Sequence, residues 1–166
     1  MKVIKLLEYS QFLRHSYLDT FSKLPWDEFM GSRHASFDSL RNIFLHCVEV
    51  LDLYTNNFIQ GKAELPRINF NDYDNMDKVK TYLDQVESNV NLYLRKVTPQ
   101  ELSRKVTRKF KDGTTVRMTV EDMLLDIFQE ETHHQGEFIA ILWQMKIEPP
   151  HLGWGKYINN STLHSS

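Results

Sequence analysis

The stretch Thr119–Lys146, TVEDMLLDIFQEETHHQGEFIAILWQMK, decides the architecture. Thr119 followed by Asp122 has the spacing of a capping box, in which the N-cap hydroxyl and the N3 carboxylate satisfy backbone N–H groups that a helix start leaves unpaired. Beyond it Met123, Ile127, Phe138 and Ile141 recur at helical steps, and no proline intervenes before Pro149-Pro150. The spacing therefore predicts one long helix ending near Lys146. Its apolar stripe needs other helices to cover it.

Upstream, residues 106–119 change character. Val-Thr-Arg-Lys-Phe, Lys-Asp-Gly-Thr and Thr-Val-Arg-Met-Thr read as strand, turn and strand, a small β-hairpin with Asp112-Gly113 at the turn. Before it Val79, Leu83, Val86, Val90, Leu94 and Val97 keep helical spacing, and Thr98-Pro99 closes that helix or opens a short extra turn. A polar connection containing Pro66 and Asn71-Asp72-Tyr73-Asp74-Asn75 separates it from an earlier helix, from about Ser36 to Gln60. Two adjoining stripes there, Leu40, Phe44, Cys47, Leu51, Tyr54, Phe58 and Ile43, Val50, Leu53, describe burial around most of the circumference. Gly61 suits its C-terminal stop.

A first helix is marked by Leu6, Leu7, Phe12, Leu13, Tyr17, Leu18, Phe21 and Leu24. Pro25 stops it by disfavouring helical geometry in the residue before it, and a loop through Gly31 and Ser32 follows. After the last helix, Trp154 and Tyr157 suit a segment packing over the bundle, and a Ser/Asn/Thr-rich end from about 158 to 166 is expected to fray. The expectation is a single all-α domain over 1–166, a four-helix bundle with a small β-hairpin before the last long helix.

Composition narrows the function classes. A chain of 166 residues suits one hydrophobic core. A formal charge of -2, from 20 Lys+Arg against 22 Asp+Glu, leaves no electrostatic footprint for a nucleic-acid partner. The basic run Arg104, Lys105, Arg108, Lys109, Lys111 sits beside a turn and reads as a solvated hairpin. No 18 apolar residues run together and no signal-peptide h-region opens the chain, so no membrane is expected. Cys47 is the only cysteine, which rules out an internal disulfide and points to the cytoplasm, where the sequons at Asn159 and Asn160 are chance matches.

The functional signal lies where polar residues interrupt apolar stripes. On the last helix the stripe passes through positions 130 and 134, which are Glu130 and His134, one turn apart on the same face. On the second helix the stripe Ile43, Val50, Leu53 is interrupted by His46. Buried imidazole and carboxylate groups are costly without partners, and one shared divalent ion would satisfy all three, leaving an open coordination position. A structural reading stands beside it: a core histidine bonded to a carbonyl, and a helix-surface Glu–His pair. The Glu-x-x-His steps Glu130–His133 and Glu131–His134 resemble those of di-iron bundles, but only the reversed His46-x-x-Glu49 is available to match them. Cys47 points away from His46 around the helix and reads as a core residue, His133 and Glu137 as solvated or supporting groups, and His15, His34, His151 and His164 have no ligand spacing.

The segment Glu130-Glu131-Thr132-His133-His134-Gln135-Gly136-Glu137 resembles the signature of the DinB/YfiT-like superfamily, in which a helix carries His-x-x-x-His-Arg-Gly-Gln or close variants. Ser39-Leu40-Arg41-Asn42-Ile43-Phe44-Leu45-His46 resembles that family's second-helix histidine motif, and Trp26, the hairpin and a last helix ending near a proline follow its order. The resemblance implies an up-down-down-up bundle with a long crossover and a metal triad of His46, Glu130 and His134. Glu130 stands where most members have His, and Gln135 where Arg is usual; the mycothiol-dependent maleylpyruvate isomerase of the same superfamily is similar in using a His, Glu, His zinc triad.

Members with known activity are thiol-dependent. The resemblance thus implies one divalent ion, zinc or nickel, a low-molecular-weight thiol cosubstrate, a small-molecule electrophile as substrate, S-transferase or isomerase chemistry, and a homodimer. Two other functions remain open at this point: a metal-dependent hydrolase using a bound water, with Glu131 or Glu137 as base, and a non-catalytic metal-binding stress-response protein.

Overall fold

A computed structural model describes residues 2–62, 67–109, 112–151 and 153–163, with side chains described as far as 159. Four long helices form the bundle: α1 (Lys2–Phe21), α3 (Leu40–Asp52), α4 (Met76–Leu94) and α6 (Val120–Gln144). Short helices α2 (Trp26–Met30) and α5 (Pro99–Ser103) and the strands β1 (Lys105–Lys109) and β2 (Thr115–Thr119) fill the connections, and α7 (Trp154–Leu163) follows the bundle.

Side-chain pairings fix the helix directions. Tyr54 of the turn after α3 meets Arg108 of the hairpin, which bonds Asp126 on α6, while Phe44 meets Phe138, so α3 and α6 run antiparallel. Arg14 reaches Glu131 and Phe21 packs on Phe138, so α1 and α6 run parallel. Arg41 donates to the Tyr73 carbonyl ahead of α4, whereas Asp52 shares a groove with Tyr82, so α3 and α4 are parallel across a long crossover. That is up-down-down-up.

The core has a local cause at each level. Phe21, Phe29, Leu40, Ile43, Phe44, Leu83, Met123, Leu124 and Ile127 are essentially sealed from solvent, each worth roughly 1.5–3 kcal/mol on burial. Thr119 Oγ1 accepts from the Asp122 N–H at 3.0 Å while Asp122 accepts from the Thr119 N–H at 3.0 Å, the expected capping box. The hairpin pairs Val106 with Met118 and Lys109 with Thr115, and Gly113 at φ +87 makes the turn. Phe110 and Lys111 lie outside the described residues.

The sequence boundaries shift in three places. The first helix stops at Phe21, and Pro25, whose carbonyl accepts from Glu28 and Phe29, starts α2 where composition reads as loop; Phe29 is the reason, packing its ring 5.3 Å from Phe21. The second helix starts at Leu40 under a Ser39 cap rather than at Ser36, because Asp38 sits at φ +71 and breaks the helical path. It then widens into a π-helical turn, Leu53–Ile59, before Gly61 at φ +65 ends it. At the C-terminal end α7 continues to Leu163 where fraying was expected from about 158, anchored by Tyr9 against Trp154 and Tyr157 at 5.0 and 5.3 Å; residues 164–166 lie outside the described residues. Among the described residues no helix is long and apolar enough to cross a membrane.

Candidate metal centre

The antiparallel packing of α3 against α6 carries His46 to the same level as Glu130 and His134. Each offers a ligand atom within 4.8 Å of the other two, although they come from helices more than eighty residues apart in sequence. His134 is 4% exposed, while His46 and Glu130 are half-buried. His134 Nε2 lies 3.5 Å from Glu130 Oε2, close to the roughly 3.3 Å edge of a tetrahedron whose metal bonds are about 2.0 Å.

The second nitrogen of His134 explains the first. Nδ1 lies 2.6 Å from Glu137 Oε2. Burial pulls the Glu137 carboxyl upward, but hydrogen bonds from His134 and from the Ser36 hydroxyl and N–H outweigh it and hold its pKa below the ordinary value. An ionised carboxylate only accepts, so Nδ1 is the donor to Glu137, and Nε2 is directed toward Glu130 and His46. A carboxylate behind a ligating imidazole is the usual support of a metal-binding histidine.

His46 is prepared in a different way. Its ring stacks on Phe37 at 4.0 Å and meets the His134 ring edge-on at 5.0 Å. Burial, with the charges of His134 and Arg67 adding to it against an opposing contribution from Glu137, lowers its pKa to about 4. It is therefore neutral, the form that can donate a lone pair to a cation. Phe37 comes from the loop between α2 and α3, where His34 at φ +54 and Asp38 at φ +71 bracket Ser36 and Phe37. Two residues in sparsely populated backbone conformations thus flank the segment that contacts both histidines.

Other sequence candidates go elsewhere. Glu131 is 2% exposed and faces α1, paired with Arg14, which also donates through Nε to Glu87 at 2.9 Å. Glu49 accepts from Arg67 and from the Ile68 N–H, both at 3.0 Å. Neither carboxylate joins His46, so the Glu-x-x-His steps do not assemble a di-iron arrangement, and Glu131 is not placed to act as a base at the cluster. His133, His134 and Glu137 form a second group within 4.8 Å, but Glu137 is already bonded to His134 Nδ1 and to Ser36, and His133 is exposed. Cys47 is buried, and burial is the main cause of its raised pKa, with the Glu131 charge adding to it and Arg14 opposing it. His15 bonds Glu87 and His151 bonds Glu148, while His164 lies outside the described residues.

The open side of the cluster is a cleft of about 490 Å³ reached by His46, Glu130, Tyr54, Phe58, Arg67 and Arg108. Arg108, read from its basic run as part of a solvated hairpin, instead lies over the Tyr54 ring at 4.3 Å and bonds Asp126 at 2.7 Å. Ser36, Phe37 and Arg67 carry no signal in the sequence pattern, because each sits in a connection rather than on a periodic stripe. The donor set suits a divalent ion: two imidazoles and one carboxylate converge at the mouth of a cleft.

Among curated proteins none matches this sequence. A solved structure of a DinB-like protein from Bacillus subtilis superposes with a TM-score of 0.60 at 17% identity, covering 89% of this chain and 97% of the other, which shows a shared fold. The family model described as the DinB family matches residues 1–161, nearly the whole of the bundle and its tail, and the chain belongs to the DinB family.

Proposed function

We propose that this protein is a divalent-metal-dependent enzyme of the thiol S-transferase or isomerase type, acting on small electrophiles, with His46, Glu130 and His134 as ligands. The observation that carries the reading is the convergence of the three groups, with His134 Nδ1 held by Glu137 and Nε2 facing the other two donors. When bound, a zinc or nickel ion supplies Lewis acidity that lowers the pKa of a thiol and makes a nucleophile available at neutral pH. Family membership supports the metal.

The chain's own residues do the rest. Phe37 covers His46 and keeps water from one face of the ligand cluster. Glu137 holds a proton on His134 Nδ1 and so orients the ring. Tyr54 and Phe58 line the cleft and give a small electrophile an apolar wall beside the open position. Among the described carboxylates near the cluster, Glu131 and Glu137 are both committed to other partners, which favours thiol chemistry over a hydrolase that needs a free base.

Metal analysis of untagged protein, with His46→Ala, Glu130→Ala and His134→Ala measured in parallel, tests the ligand set. The expected result is about one equivalent of divalent ion in the wild type and a marked loss in each variant. Unchanged stoichiometry in all three would overturn the site. Consumption of an electrophile only when a low-molecular-weight thiol is present then tests the reaction class.

A further inference from the structure

The cleft beside the cluster is lined by three cations, Arg67, Arg108 and Lys109. They arrive from separate segments, the crossover after α3 and strand β1, in a chain whose formal net charge is -2. Two are held in place by carboxylates that do not themselves line the cleft. Arg67 Nη1 bonds Glu49 Oε2 at 3.0 Å while about half of its side chain, 51%, stays exposed. Arg108 Nη1 bonds Asp126 Oδ2 at 2.7 Å, and its guanidinium lies over the Tyr54 ring at 4.3 Å. Fixed guanidinium groups lose little freedom on meeting an anion, and their planar fork matches a carboxylate.

Charge decides when that anion binds. With Glu49, Asp126, Glu130 and the turn residue Asp112 counted, the carboxylates outnumber the three cations by one. A divalent ion on His46, Glu130 and His134 adds two positive charges to that balance and so favours an anion in the cleft. Apolar groups line the same cleft: Val50, Leu53, Tyr54 and Phe58, the last three from the π-helical turn Leu53–Ile59. π-helical turns are rare and frequently found at functional sites. A volume of about 490 Å³ fits a small molecule with a polar end and an apolar body.

We propose that this cleft selects a small-molecule substrate bearing a carboxylate, which Arg67 and Arg108 bind while its reacting end reaches the open side of the metal cluster. The proposal rests on the metal reading above and names the substrate class of the same site. Lys109 at the lip adds attraction without a fixed geometry. Anion recognition and ion occupancy are coupled, so the ion-loaded protein is the one that discriminates.

Calorimetric titration of the zinc-loaded protein with 3-mercaptopropionate and with its neutral counterpart 3-mercapto-1-propanol tests this, because either thiol can approach the ion and only one carries the carboxylate. The carboxylate thiol is expected to bind about tenfold more tightly, the effect of one charge-assisted hydrogen-bonded contact. Arg67→Gln, at an exposed position whose loss leaves Glu49 still accepting from Ile68, is expected to reduce that ratio to about threefold or less. Arg108→Lys, which keeps the charge and loses the fork, is expected to reduce it as well. Equal affinity for the two thiols in the wild type, or a ratio unmoved in both variants, would overturn the proposal. Zinc content is measured on the same samples: protein that holds its ion but shows no preference loses this inference alone, and protein that holds no ion loses the metal centre and this inference together.

Discussion

His134 Nδ1 and Glu137 Oε2 lie 2.6 Å apart across one turn of α6, and Glu137 is itself held by the hydroxyl and N–H of Ser36 from the loop before α3. The carboxylate is therefore a link between a loop and a ligand. Glu137→Gln keeps the shape and removes the charge that fixes the tautomer. Losing such a support costs about 10–100-fold in metal affinity. Chelator competition on wild type and variant should show that loss with the melting temperature of the metal-free protein nearly unchanged; equal affinities would return Glu137 to the status of a surface residue.

Arg14 poses a stability question of a different kind. It is 6% exposed and bridges Glu87 on α4 and Glu131 on α6, themselves 5% and 2% exposed. Arg14→Met leaves the buried Glu131 carboxylate without its cation, while Glu87 keeps His15 and Gln11, at a cost on the order of 3–5 kcal/mol. Replacing all three with apolar residues, Arg14→Met with Glu87→Leu and Glu131→Leu, is expected to recover most of that loss. Urea unfolding of the two variants checks both halves, and a single variant as stable as wild type would contradict the burial argument.

Two histidines are shifted in opposite directions, and each leaves its own mark on stability. The hydrogen bond to Glu87 raises His15 against a smaller opposing effect of burial. Its contribution is full below the ordinary histidine value of about 6.5 and is lost as pH rises through the raised folded value. His46 is lowered to about 4 by burial and neighbouring charge. The unfolded chain then binds the extra proton between about 6.5 and 4, so stability tied to His46 falls on acidification. In metal-free protein, His46→Phe should flatten the acid-side decline of the urea midpoint, and His15→Gln should flatten the decline that begins above about 6.5. Parallel pH profiles for all three proteins would refute both assignments.

The helices and their ends follow from local signals. Thr119 with Asp122, Ser39 before Leu40, Asn75 before Met76 and Thr98 before Pro99 are caps whose side chains accept the N–H groups expected of them. His134 is legible as a polar residue on the buried stripe of α6, whereas the stripe residue before it is Glu131, with Glu130 and His46 only half-buried. What spacing does not carry is the tertiary environment. Phe37 meets His46 only because Asp38 takes φ +71, and a non-glycine in that region leaves no pattern in composition. The π-turn is hidden for a related reason: one residue inserted into the hydrogen-bond ladder barely disturbs a stripe that is apolar around most of its circumference. Glu131 was as plausible a ligand as Glu130 by residue type, and only the packing of α1 shows it committed to Arg14.

Cys47 offers the last check, because it follows His46 directly and a thiol is a good zinc ligand by residue type alone. One step along a helix turns a side chain by about 100°, which takes Cys47 out of the cluster. It is 4% exposed, and burial, reinforced by the Glu131 charge and opposed by Arg14, pushes its thiol well above the ordinary cysteine range. A protonated, enclosed thiol is a poor nucleophile and a poor ligand. The native protein should therefore react negligibly with an aromatic disulfide reagent at neutral pH, whether zinc-loaded or metal-free, and release one equivalent of chromophore on denaturation. If zinc protected a thiol that the metal-free native protein exposes, Cys47 would belong to the coordination sphere and the ligand set of two imidazoles and one carboxylate would have to be redrawn.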